Sequence, residues 1–349
     1  MLAALCLALA TPPTFYAGAD VSFLPEYRSL GAKFFDDGKA TSPLVSLRDR
    51  GAKLLRLRVW VHPPAGFCSV EHTLAMAKEA KDLGMQLLID FHYSDNWADP
   101  QQQTPPAKWQ AFDEDQMAQA VYQHTKLTVA KLEEQGTPPD MVQIGNEIRD
   151  GMIWPMGQIS KSGFGPLSRL LRAGIRGARE AAGKRKLPIM IHNDRGADLG
   201  LCKPFYQELK QQGVDFDVIG VSYYPWWHGP LTKLAENLNG LAETFEKPVM
   251  VVETAYPFSL KWNDDTGNFV GEEKQLEPGY PATPEGQADF LRKVTQIVRE
   301  VPNGLGIGVV YWAPEYIAHP GMKTPYENLA LWDFKGNILP GADALGGKP

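Results

Sequence analysis

Short runs rich in Val, Ile, Leu and Met alternate along this chain with longer stretches whose apolar residues recur every three to four positions. The first pattern predicts strands and the second amphipathic helices. Strands are expected at 14–21, 53–61, 85–93, 141–147, 188–194, 216–225, 248–256 and 305–312. Helices are expected at stretches such as 70–83, 115–135, 167–182, 230–245 and 283–300. Gly51, Gly84, Gly136, Gly183 and Gly213 fall where helices should stop, the place of a C-terminal glycine. Eight strand–helix units predict a (β/α)₈ TIM barrel over 14–349, in one domain, with an open doubly wound sheet as the alternative. The strand ends separate the two. Seven of them carry polar or aromatic clusters: RVW, DFHY, GNE, HND, SYYP, ETAYP and YWAP. A barrel gathers all of these at one mouth, whereas an open sheet spreads them along a line.

Two loops longer than about 12 residues, 94–109 and 257–281, lie on the mouth side, where such loops are usually functional. A net charge of −6 argues against nucleic acid, which demands a basic footprint. It suits a neutral partner such as a polysaccharide, and 9 Trp and 12 Tyr supply planes on which sugar rings stack. Residues 1–10 form a short apolar run ending in small residues. This resembles a truncated signal peptide and predicts a secreted or periplasmic protein. The run is too short to span a bilayer, so no membrane association is expected. Cys6 follows Leu5 and fits an acylation box poorly; whether Cys68 and Cys202 pair is open.

The chain lacks a phosphate-binding G-x-x-x-x-G-K, a G-x-G-x-x-G after a strand, a G-x-S-x-G elbow and H-E-x-x-H. Its seven histidines show no zinc spacing, and the acidic 257–281 loop lacks the calcium-hand pattern. No cofactor or metal is expected. Two glutamates remain: Glu147, behind Asn146 at the end of strand four, and Glu253, at the end of strand seven. Glycoside hydrolysis needs a carboxylic acid on the leaving oxygen and a carboxylate on the opposite face, about 5–5.5 Å apart in retaining enzymes. Arg56 and Arg58 share one face of strand two, and at least one should reach the mouth and hold Glu253 ionised. Asn146 suits the 2-hydroxyl of the reacting sugar, Tyr224 the Glu253 carboxylate, and Trp312 the floor beneath the sugar. His92 and His192 are candidates for sugar hydroxyls or for orienting Glu147.

Taken together, the segments GADVS at 18–22, LRLRVWVHP at 55–63, IDFHYSDNWADP at 89–100, IGNEIRDG at 144–151, VSYYP at 221–225 and VVETAYP at 251–257 resemble glycoside hydrolase family 53, the endo-β-1,4-galactanases of clan A. The resemblance covers nearly the whole chain. It implies a retaining double displacement on β-1,4-galactan, with Glu147 as acid/base and Glu253 as nucleophile. It also implies that Arg56, Asn146, Tyr224 and Trp312 surround the reacting sugar, and that Asp90, His92, Trp97 and His192 contribute to binding. Three features depart from the family pattern. Ala313 follows Trp312 where many members carry Glu, with Glu315 two places on; Asn193, Asp194 and Arg195 follow His192; and the 257–281 loop does not match the calcium-binding form. Other expectations from the residues are another clan A glycanase (a mannanase or cellulase) and, outside enzymes, a non-catalytic carbohydrate-binding barrel. A monomer is expected.

Overall fold

The computed structural model describes residues 15–348; the apolar start at 1–10 lies outside them. Eight parallel strands close into a barrel: β1 (Tyr16–Asp20), β2 (Leu54–Val59), β3 (Gln86–Phe91), β4 (Met141–Ile144), β5 (Ile189–Asn193), β6 (Val218–Tyr223), β7 (Val249–Thr254) and β8 (Gly306–Trp312). Each pairs with its sequence neighbours, and β1 closes the ring against β8, Gly18 opposite Val310, and β2, Gly18 opposite Leu54. The principal helices after the first seven strands are α1 (Pro43–Asp49), α2 (Val70–Asp82), α3 (Glu114–Glu134), α4 (Phe164–Ala182), α5 (Leu199–Gln211), α6 (Leu231–Phe245) and α7 (Pro284–Arg299). The short α8 (Gly341–Leu345) follows β8.

The helices start where side chains satisfy the free N–H groups of the first turn. Ser69 caps α2, Asp113 and Gln116 form a reciprocal capping box on α3, and Thr283 caps α7 before Pro284. All five glycines expected at helix ends have positive φ. The apolar faces of the helices pack on the outer faces of the strands, forming one continuous layer around the barrel.

Successive inward side chains lie two residues apart along a strand. At the base of the barrel Leu54, Leu88, Met141, Met190, Val218 and Met250 form a closed apolar plug. Gly220 makes room for it, because a Cβ there would meet Met190 Sδ at 2.6 Å. Two residues further up, and four on β6, past Gly220, the interior turns polar: Arg56, Asp90, Gln143, His192 and Ser222 are all buried.

The ladders are shorter than the apolar runs suggested, most clearly at β4, which ends at Ile144 rather than at 147. Gly145 (φ 82°) and Glu147 (φ 50°) turn left-handed there, so the chain leaves the sheet before its functional residues. The alternation also gave no sign of two small hairpins, Phe34–Asp36 with Lys39–Thr41 and Gly151–Met152 with Gly157–Gln158. Strands of two or three residues are too short to carry a pattern.

Candidate active site

A cleft of about 560 Å³ opens at the C-terminal ends of the strands. Glu147 and Glu253 both line it, as do Arg56, His92, Trp97, Asn146, Tyr224 and Trp312. Asp90 and His192, expected to bind substrate, do not line it; they are fully buried one layer below. Asp90 is two residues before His92 on the same inward face, and that step separates the floor from the layer under it.

Arg56, at the cleft floor, is the hub that joins the floor to the layer beneath it. Its Nη1 donates to Asp20 Oδ2 at 2.9 Å and lies 2.8 Å from Glu253 Oε1. Its Nη2 donates to Asp90 Oδ2 at 2.8 Å and Asn146 Oδ1 at 2.9 Å. Gln143 accepts from the same guanidinium and donates to Asp90 Oδ1 at 2.6 Å. One buried cation therefore orients the Glu253 carboxylate and the Asn146 amide together. Asn146 Nδ2 donates to the Ala98 carbonyl, which ties the end of β4 to the 94–109 loop.

Glu253 accepts from the Tyr224 hydroxyl on its other oxygen, at 3.2 Å. Burial raises its pKa to about 7; Arg56 opposes the rise, while Asp20 and Asp90 add to it. Among the described residues, Glu147 has no salt-bridge partner, and no cation figures among the main influences on its carboxyl. Burial, then the charges of Glu253 and Asp194, push its carboxyl well above the ordinary range, and the donating Ser222 hydroxyl, 2.6 Å from Oε1, only partly opposes them. Where two carboxyls share a cleft and one has an arginine, the other keeps the proton. Glu147 is that carboxyl.

His192 connects the halves of the site. Its Nε2 lies 2.8 Å from Ser222 Oγ and its Nδ1 2.9 Å from Asn146 Oδ1. Burial, aided by Arg56, holds it neutral. His92 is also neutral, because burial outweighs the charge of Asp90. The Ala98 N–H donates to His92 Nδ1, which leaves the proton on Nε2 to donate to Asp90 Oδ2 at 2.9 Å. Burial alone would raise Asp90, but Arg56 and His92 overcome it and keep that carboxyl below the usual range.

Aromatic side chains wall the cleft. Trp97 and Trp312 stand 6.1 Å apart between ring centres, and Trp312 lies 4.7 Å from Tyr326. Arg58, the second arginine of β2, also reaches the mouth and is held among the rings of Phe23, Trp60 and Trp97 at 4.1–5.0 Å. Trp227 and Phe269 extend the wall and are half exposed.

Sequence reasoning did not single out Asp20, Gln143 or Ser222, although each lies on an inward position of its strand. Glu315 does not reach the cleft. It folds inward, with Oε1 accepting from the Phe23 N–H at 3.1 Å and Oε2 without a partner among the described residues. Cys68 and Cys202 are both buried and free. In the 257–281 loop, Glu327 accepts from the Asn263 and Asp264 N–H groups, and Asp265 pairs with Lys323. Among the described residues, no group of three or more His, Cys, Asp or Glu is placed to hold a metal, and no helix is long and apolar enough to cross a membrane.

The sequence model for glycosyl hydrolase family 53 matches residues 16–345. An uncharacterised Niallia circulans protein from the bgaB 5′ region is 42% identical, over 95% of this chain and 93% of its own. An arabinogalactan endo-β-1,4-galactanase from Cellvibrio japonicus is 35% identical, over 93% of this chain and 89% of its own. Among solved structures, the GH53 catalytic domain of Ignisphaera aggregans superposes with a TM-score of 0.90 at 33% identity, covering 97% of both chains.

Proposed function

Because the chain belongs to glycosyl hydrolase family 53, we propose that it hydrolyses internal β-1,4-galactosidic bonds of galactan and type I arabinogalactan, with Glu253 as nucleophile and Glu147 as acid/base. The observation that carries this reading is the unequal treatment of two glutamates in one cleft: Arg56 holds Glu253, while no cation among the described residues pairs with Glu147.

In the first step Glu253 Oε1 or Oε2 attacks the anomeric carbon as Glu147 gives its proton to the departing glycosidic oxygen. A galactosyl ester on Glu253 and a shortened chain with a free 4-hydroxyl result. In the second step Glu147, now ionised, takes a proton from water, whose oxygen attacks the same carbon and releases Glu253. Two inversions retain the β configuration. Arg56 and Tyr224 hold the nucleophile's lone pairs in place, and Ser222 steadies the Glu147 carboxylate while it acts as base. Asn146, pinned by Arg56 and Ala98, stands at the cleft surface to meet the 2-hydroxyl. Trp97 and Trp312 give the sugar faces their stacking planes. Asp90 and His192 act through Arg56 and Ser222 as positioning residues.

All these groups come from one chain, which supports action as a monomer. The polymeric substrate and the signal-like residues 1–10 support action outside the cytoplasm. The test is linear β-1,4-galactan with proton NMR of the first products. Galacto-oligosaccharides should appear first as the β anomer. First release of the α anomer, or hydrolysis of mannan or cellulose in place of galactan, would overturn the reading.

A further inference from the structure

The cleft wall beside Glu147 carries more positive charge than the proposed chemistry uses. Arg149, two residues after Glu147, and Arg195, just beyond β5, both line the cleft, with Asp194 between them. Asp194 Oδ2 accepts from Arg149 Nη1 at 3.0 Å and lies 3.8 Å from Arg195 Nε. That distance is too long for a hydrogen bond, and the Arg195 guanidinium makes none in the described structure. Arg195 Nε and Asp194 Oδ1 are both shielded from solvent and unpartnered. Two guanidiniums thus share one carboxylate. His228, the neighbour of both, adds no charge: burial, then Arg195 and Arg149, lower its pKa to about 4. Asp99, another carboxylate on the cleft wall, spends Oδ1 on the Gln101 and Gln102 N–H groups.

The direction of this wall follows from the roles of the two glutamates. The Ile148 N–H donates to the His192 carbonyl, so the segments carrying Arg149 and Arg195 leave the barrel side by side at Glu147. Arg56 and Asp20 lie with Glu253. An acid that protonates the leaving oxygen must have the leaving portion of the substrate on its own side. A guanidinium with free N–H groups is matched in shape and charge by a planar carboxylate, which it binds through two parallel hydrogen bonds.

Resting on the galactanase reading, we infer that Arg195, supported by Arg149, forms a subsite on the leaving-group side for a carboxylate-bearing sugar, a uronic acid. The enzyme then prefers galactan chains whose leaving portion carries that acid over neutral ones.

The test pairs β-1,4-galactotetraose with the same tetraose oxidised at C6 of its reducing-end residue. At low ionic strength the acid should be cleaved with kcat/KM about 10-fold above the neutral sugar, falling toward parity as salt screens the contact. Arg195→Gln should bring the pair to within about twofold while neutral tetraose turnover and the circular dichroism spectrum stay unchanged. Arg195→Lys should keep part of the preference, because charge remains without the fork. Equal kcat/KM for both sugars in the unaltered enzyme, or an undiminished preference in Arg195→Gln, overturns the inference and leaves the galactanase reading intact. Failure to cleave either tetraose overturns both.

Discussion

Arg56 Nη1 lies 2.8 Å from Glu253 Oε1, with both groups lining the floor of the cleft and largely buried there. The same guanidinium serves Asp20 and Asp90, so one positive charge faces three carboxyls. Replacing Arg56 with Gln should raise Glu253 further, because burial then loses the charge that chiefly opposes it. The acidic limb of kcat/KM, which requires ionised Glu253, should move to higher pH, and activity at neutral pH should drop by about 10³ or more. The variant should also be less stable by about 3–5 kcal/mol, since Asp20 and Asp90 lose their cation. A pH–rate profile and a thermal melt check both effects.

Ser222→Ala removes the hydroxyl 2.6 Å from Glu147 Oε1. That hydroxyl donates to the ionised form and so lowers the Glu147 pKa against burial. Without it, the alkaline limb of kcat/KM should shift upward, and breakdown of the galactosyl–enzyme, which needs Glu147 as base, should slow by about 10-fold. Pre-steady-state kinetics would show a larger burst than in the unaltered enzyme. An unmoved alkaline limb would separate Ser222 from the acid/base.

Glu147→Ala should reduce galactan hydrolysis by about 10⁴ while sparing much of the first step on aryl β-galactosides with acidic phenols, which depart without a proton. Added azide should restore turnover on those substrates by taking the place of the activated water. An equal loss on both substrate types would deny Glu147 the proton-donor role.

Much of this site follows from alternation. Arg56 and Arg58, and Asp90 and His92, are two residues apart on inward faces, so their arrival at one end of the barrel was legible from the strand pattern. Their depth was not. Asp90 is covered by Arg56 and His92, and His192 by Asn146 and Ser222, so their burial depends on which side chains of other strands close over them and not on any single run. The partners of Arg58, three rings from separate segments, and the sharing of Arg56 among three carboxyls likewise depend on which loops fold over the mouth. Glu315 illustrates the same limit. Its place after Trp312 and Ala313 points toward the cleft, yet Ala313 (φ 49°) turns the chain, and the carboxyl ends under Phe23.

That burial has a stability consequence. It raises the Glu315 pKa to about 8, with a smaller push from Asp20. The folded protein therefore holds a proton that the unfolded chain releases near pH 4.3. The group favours the folded state least once it must ionise, so its contribution falls as pH rises from the unfolded pKa to about 8. Glu315→Gln keeps the acceptor for Phe23 without an ionisable group. Its melting temperature should equal that of the unaltered protein at pH 5 and exceed it at pH 8, by a margin corresponding to on the order of 3 kcal/mol. A difference of the same size at both pH values would mean that Glu315 does not titrate in this way.

The division of labour between the two glutamates is tested most directly by trapping the covalent intermediate. A galactobioside fluorinated at C2 of the sugar that bears an activated leaving group should inactivate the enzyme, and mass spectrometry of the digest should place one galactosyl-(2-fluorogalactosyl) unit, joined through the fluorinated sugar, on the peptide carrying Glu253. Label on Glu147 instead, or hydrolysis that inverts the anomeric centre with no labelled peptide at any time, would contradict the assignment.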